Sequence, residues 1–64
     1  MNVKIARIKK KLTQDQVCEA VGIGRTTLSR IENGKDLNVS KEVMLKLAEI
    51  LESSVMYLFF SDED

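Results

Sequence analysis

The chain lacks histidine and proline altogether and holds a single cysteine, Cys18, among its 64 residues. One thiol and no imidazole exclude both a disulfide framework and a cysteine or histidine metal cage within one chain. No short loop carries the dense carboxylates of an EF-hand, and no cofactor or metal is expected. Apolar runs fall far short of a membrane span. The opening "MNVKIARIKKK" mixes basic residues into its apolar pattern and is followed by no hydrophobic block of signal-peptide kind, so the expected compartment is the cytosol and no membrane partner is expected. Catalysis has little to stand on. A domain this small buries only about 60% of its unfolded surface, which leaves one modest core and scant volume for a pocket. No nucleophile and base stand in a convincing arrangement, so an enzyme is not expected.

Net charge is also missing: ten basic residues balance ten acidic ones. Taken alone, that argues against a polyanion partner, but the distribution is uneven. Residues 1–35 hold Lys4, Arg7, Lys9, Lys10, Lys11, Arg25, Arg30 and Lys35 against Asp15, Glu19 and Glu32. Residues 36–64 hold Lys41 and Lys46 against Asp36, Glu42, Glu49, Glu52, Asp62, Glu63 and Asp64. A fold that keeps the halves on different faces can offer one to a polyanion while the other repels it. Uneven charge is also common in small soluble domains.

What is present is helical spacing nearly throughout. Val3, Ala6 and Lys10 with Ile5, Ile8 and Leu12 give a broad apolar band for a first helix. Thr13 suits the N-cap of a second, with Gln16 placed to complete a capping box. That helix is expected to bury Val17, Cys18 and Val21 and to stop at a left-handed Gly22. Cys18 reads as a small core filler rather than a redox sensor. A third helix, about Arg25 to Glu32, points Leu28 and Ile31 inward and ends at Asn33 and Gly34. After a loop over residues 35–39, Ser40 caps a fourth helix with Met44, Leu47, Ala48 and Leu51 along one side. Ser53 or Ser54 starts a short last helix through Val55, Met56, Leu58 and Phe59. The run "VMYLFF" is rich enough in branched and aromatic residues to score as a strand, but a lone strand has no partner. The domain is therefore expected over residues 1–60, all-α, with residues 61–64, "SDED", as an acidic tail that frays.

Two short helices joined by a glycine-containing turn describe a helix-turn-helix unit. Here Gly22 relieves the turn and Ile23 plugs the angle between the helices. Leu28 and Ile31 root the third helix and leave Arg25, Thr26, Ser29 and Arg30 outward. In a major groove these residues can address base edges, since arginine offers guanine two donors and threonine or serine a hydroxyl or methyl. The helix starts at Gln14 and Arg25 carry unpaired N–H groups suited to phosphate. Backbone contacts would position the domain while third-helix side chains select sequence.

The stretch "LTQDQVCEAVGIGRTTLSRIENGK" closely resembles the helix-turn-helix domain of phage Cro and repressor proteins and of the xenobiotic-response-element class of bacterial regulators. The resemblance runs over about Val3 to Phe59. It rests on "LTQ" opening the second helix, a small residue four positions after Gln14, Gly22, and "SRIENGK" closing the third helix. It implies a five-helix, lambda-repressor-like domain that binds double-stranded DNA as a homodimer on a palindromic operator, in a bacterial or phage setting. It implies base reading by Arg25, Thr26, Ser29 and Arg30, and phosphate contact by Gln14, Thr27, Asn33 and Lys35. It also implies an ion pair, Arg7 with Glu32, tying the first helix to the end of the third. Lys9, Lys10 and Lys11 are candidates for further approach to the backbone.

The sequence departs from the family pattern at several places. Lys11 stands where glycine is common before "LTQ", and Gly24 where a capping serine or threonine is usual. Val39 replaces a frequent proline, and Glu52 and Ser53 replace a glycine and an apolar residue before the last helix. Val55, Tyr57, Leu58, Phe59 and Phe60 hold more apolar area than a small core needs. Leu58 or Phe59 is expected to complete that core, and the group is assigned to a homodimer contact, which would double the base contacts of one module. The leading expectation is a Cro-like or compact repressor whose occupancy of a promoter excludes or helps recruit RNA polymerase. Two alternatives stay open. One is a restriction-modification controller protein, suggested by "NVS" in the loop and by the aromatic end. The other is an antitoxin- or antirepressor-like interaction module that does not bind DNA, suggested by the zero net charge.

Overall fold

The way each helix starts and stops fixes the architecture. In the computed structural model, which describes residues 1–35 and 38–61, five helices follow in order: α1 Val3–Lys9, α2 Gln14–Val21, α3 Arg25–Glu32, α4 Lys41–Ile50 and α5 Val55–Phe60. Three of the starts carry a side-chain cap. Thr13 and Gln16 form a reciprocal box at α2, with Thr13 Oγ1 accepting from the Gln16 N–H at 3.1 Å and Gln16 Oε1 from the Thr13 N–H at 2.8 Å. Ser40 Oγ accepts from the Val43 N–H at α4, and Ser54 Oγ from the Tyr57 N–H at α5. Each cap satisfies a donor that the helix leaves without a partner.

The helix ends reuse one device. After α3, Gly34 turns left-handed at φ 69°, its N–H bonds Ile31 O, and the Lys35 N–H bonds Arg30 O at 2.9 Å. The same double closure ends α1, where Lys11 sits at φ 59° and the Leu12 N–H reaches Arg7 O, and α4, where Glu52 sits at φ 50° and the Ser53 N–H reaches Ala48 O. Lys11 and Glu52 thus take the left-handed conformation that glycine would adopt without a Cβ penalty. The Lys10 ammonium pairs with the Glu52 carboxylate, joining the two turns. Gly22, at φ 85°, ends α2 with its N–H on Cys18 O.

These helices enclose one core. Val3, Ala6, Val17, Cys18, Val21, Leu28, Ile31, Leu47, Leu51 and Leu58 are buried, and Leu12, Ile23, Val39, Val43, Ala48, Tyr57 and Phe59 pack around them. Helix α2 lies against both α3 and α4, α4 against α5, and α1 closes the layer between α3 and α5. Asn2, itself buried, ties the two ends of the chain together. Its N–H donates to Leu58 O, and its side-chain amide to Tyr57 O at 2.8 Å and Ser61 O at 2.6 Å.

Four expectations about packing are corrected. Ile5 and Ile8, assigned to the apolar band of α1, are 38% and 55% exposed, because at about 100° per residue they lie across the helix from Val3 and Ala6. Met56, assigned to the inward side of α5, is exposed for the same reason, with Leu58 holding the core position. Met44, placed in the apolar line of α4, is half-buried at its margin. Leu58, assigned to a dimer contact, is completely buried in the core of the chain and has no surface to offer a partner. The "VMYLFF" segment is helical. Two positions of the loop expected over residues 35–39, Asp36 and Leu37, lie outside the described residues, as do residues 62–64 of the acidic tail.

Candidate nucleic-acid interface

Leu28 and Ile31, both fully buried, fix the rotation of α3 about its axis. That rotation leaves Arg25, Thr26, Thr27 and Arg30 exposed and Ser29 half-buried. Gln14, at the start of α2, joins Arg25, Thr26, Ser29 and Arg30 around one shallow surface depression. The approach of α2 to α3 that makes this possible depends on the turn. Gly22 reverses the chain, Ile23 is half-buried beneath it, and Gly24 starts α3 in extended geometry without a side-chain cap. Gly24, having no side chain, makes no cap bond to the N–H groups opening α3.

Beneath the depression runs a chain of polar contacts. Arg7 Nε donates to Glu32 Oε2 at 2.6 Å and Nη2 to Oε1 at 3.3 Å, while Nη1 donates to Leu12 O at 2.9 Å. Glu32 Oε1 also accepts from Gln14 Nε2 at 3.1 Å. Gln14 Oε1 accepts from Arg25 Nη2 at 3.1 Å, and Asp15 Oδ1 from Arg25 Nη1 at 2.7 Å. The inner end is almost dry, with the Arg7 and Glu32 side chains 13% and 3% exposed, and the outer end is open, with Arg25 and Asp15 at 59% and 74%. Glu32 acts as an acceptor for both Arg7 and Gln14, so it orients the Gln14 amide with its oxygen toward Arg25.

The remaining assigned residues sit at the far end of α3 or on its side. Asn33 caps the helix, with its amide 3.5 Å from Ser29 Oγ, and Lys35 is exposed just past Gly34. Thr27 is exposed on α3 but does not line the depression. Lys9, Lys10 and Lys11 are all exposed at the end of α1. Cys18 lies buried behind the α2–α3 junction; burial pushes its thiol pKa up, the nearby Arg25 charge opposes this, and Asp15 and Glu32 add to it.

Three contacts of this chain went unforeseen in the sequence: Asp15 with Arg25, Gln14 with Arg25, and Gln14 with Glu32. Asp15 counted there only as an acidic residue. Its place in the first turn of α2, across a glycine turn from an arginine opening the next helix, was the available signal.

The helix-turn-helix family profile matches residues 3–58. The chain is 31% identical over 62 residues to an uncharacterized HTH-type transcriptional regulator of Archaeoglobus fulgidus, an alignment covering 97% of this chain and 86% of that protein. No solved structure matches it. Among the described residues, no helix is long and apolar enough to cross a membrane. With five helices, a glycine turn between α2 and α3, and a matched span that takes in nearly every described residue, the chain belongs to the helix-turn-helix family of xenobiotic-response-element type.

Proposed function

We propose that this protein is a sequence-specific regulator of transcription, a Cro-like or compact repressor that binds a palindromic DNA operator as a homodimer. Family membership supports DNA binding and transcription regulation, and the relative from Archaeoglobus fulgidus carries a regulator's name. The observation that carries the finer reading is the convergence of Arg25, Thr26, Ser29 and Arg30 with Gln14 on one outward surface of α3 and the start of α2. A major groove admits a helix of this kind. Once seated there, Arg25 and Arg30 address guanine edges and Thr26 and Ser29 supply hydroxyl or methyl contacts. Gln14, Thr27, Asn33 and Lys35 flank these residues and hold the sugar-phosphate backbone, which fixes register without reading sequence.

Dimerisation falls to α5. With Leu58 committed to the core, Val55, Tyr57, Phe59 and Phe60 remain from the predicted group, and exposed Met56 joins them. Met56 and Phe60 stand four residues apart and so share one helix face. A twofold pair built there presents two α3 helices to one duplex, and operator symmetry follows from protein symmetry.

Selection of bound fragments from a pool of random duplex DNA tests this reading. The expected product is an inverted repeat whose half-sites lie about one helical turn apart. Recovery of no preferred sequence would contradict it.

A further inference from the structure

We propose that Asp15 is a positioning residue for Arg25 that sets how sharply the protein discriminates its operator from other DNA. The inference rests on the reading of α3 as the base-contacting helix.

Both terminal nitrogens of Arg25 are engaged before any duplex arrives, Nη1 by Asp15 at 2.7 Å and Nη2 by Gln14 at 3.1 Å. A guanidinium carries five N–H donors, and these two bonds use one on each fork nitrogen. A second hydrogen on each of these nitrogens, and the Nε–H, remain as donors on a guanidinium whose plane the two bonds hold. This arm does not depend on the surface alone. Gln14 is oriented by Glu32, and Glu32 is held by Arg7 in the least exposed ion pair of the described residues. Asp15 has no such anchor and contributes the second, charged point of attachment.

Two consequences follow, and the first of them separates one sequence from another. Attraction between a free arginine and phosphate is independent of sequence and strengthens binding to any duplex. Paired with Asp15, Arg25 offers unrelated DNA a nearly neutral group. Asp15 also stands in the first turn of α2 beside Gln14, where its carboxylate opposes phosphate of either duplex alike and leaves the ratio of affinities unchanged. A guanine edge, in contrast, presents O6 and N7 to two parallel donors, a demand on orientation that a guanidinium held in one plane meets with less ordering than a free one. Asp15 therefore lowers affinity for unrelated sequence while preserving the ordered contact that the operator rewards.

The test compares Asp15→Asn with the unmodified protein on two duplexes in a salt series. One duplex is the sequence that the unmodified protein selects from a random pool, and the other is a scramble of equal length and composition. Asp15→Asn is expected to strengthen binding to the scramble more than to the selected site, lowering the ratio of the two affinities about two- to fivefold, the range of an exposed ion pair. In an Arg25→Ala background the same change should leave the ratio where it was. Asp15→Glu, which restores the carboxylate, should recover part of the discrimination and guards against a folding defect in the asparagine variant. An equal gain on both duplexes would overturn the proposal, since Asp15 would then act only as one more negative charge. A ratio that shifts without Arg25 present would overturn it as well. Failure of the unmodified protein to prefer any sequence would instead overturn the base-reading assignment, and this proposal with it.

Discussion

Arg7 and Glu32 meet across the contact of α1 with α3, Nε 2.6 Å from Oε2, in a setting where the two side chains are 13% and 3% exposed. The pair lies within the domain, yet through Gln14 it reaches the exposed guanidinium of Arg25. Packing of the first helix and presentation of the third are thereby connected through three side chains. A carboxylate so enclosed is stable only while its partners stay in place.

Arg7→Ala is therefore expected to cost about 3 kcal/mol or more, because it strands Glu32 as a buried charge. In a domain of this size that approaches the whole stability. The double change Arg7→Met with Glu32→Leu should recover most of the loss by removing both charges together. It should not restore the orientation of Gln14. Denaturant unfolding of the three proteins checks the expectation; equal destabilisation by the single and double changes would refute it.

Lys11 and Gly34 occupy equivalent left-handed positions after α1 and α3, at φ 59° and 69°. Lys11→Gly should raise stability by about 0.5–1 kcal/mol through relief of the Cβ conflict, net of the flexibility glycine adds to the unfolded chain. Gly34→Ala should lower stability by about 1 kcal/mol. Nothing lies within 4 Å of a Cβ built there, so backbone conformation is the sole cause. Thermal unfolding midpoints that move in opposite directions for the two variants are the expected result.

Asn2 gives its side-chain amide to two carbonyls at the end of α5, while its Oδ1 has no partner among the described residues. Asn2→Ala should cost about 1–3 kcal/mol and speed amide exchange at the C-terminal end of the chain. Asn2→Asp matches the shape but sets carboxylate oxygen against carbonyl oxygen, so it should be at least as damaging near neutral pH. Unchanged exchange in α5 for both variants would show that the tether carries no load.

Burial raises the Cys18 pKa, so the native protein holds a neutral thiol and its alkylation should be slow and track unfolding. The sign for stability follows. An unfolded chain ionises this thiol near pH 8.5 while the folded one retains the proton, so the Cys18 contribution is complete below about pH 8.5 and declines as pH rises beyond it. Cys18→Ala should flatten that decline. A native alkylation rate equal to that of the denatured chain would contradict this account.

Much of the fold could be read in advance because its signals are local. Thr13 with Gln16, Ser40 and Ser54 mark helix starts through their own side chains, and Gly22 and Gly34 mark ends through their backbone freedom. Val17, Cys18, Val21, Leu28 and Ile31 fell where a period of 3.6 puts them. The period was ambiguous in the shortest helices. With seven residues in α1 and six in α5, apolar residues lie on most sides, and spacing alone cannot assign Ile5, Ile8 or Met56 to solvent. The outward residues of α3 were legible as the complement of Leu28 and Ile31. What joins them was not: Gln14 to Glu32 and Asp15 to Arg25 depend on how far α3 is turned against α2, and a long side chain finds its partner only after that angle is set.

The most direct test of the central claim is the affinity of the Arg25→Ala variant for the selected duplex, measured beside its affinity for the scramble. If Arg25 reads a base, the preference should fall about 5- to 150-fold, the range of one bidentate contact, while circular dichroism remains that of the folded protein. If both affinities fall by the same factor, Arg25 serves only to attract phosphate, and α3 is not the reading helix described above.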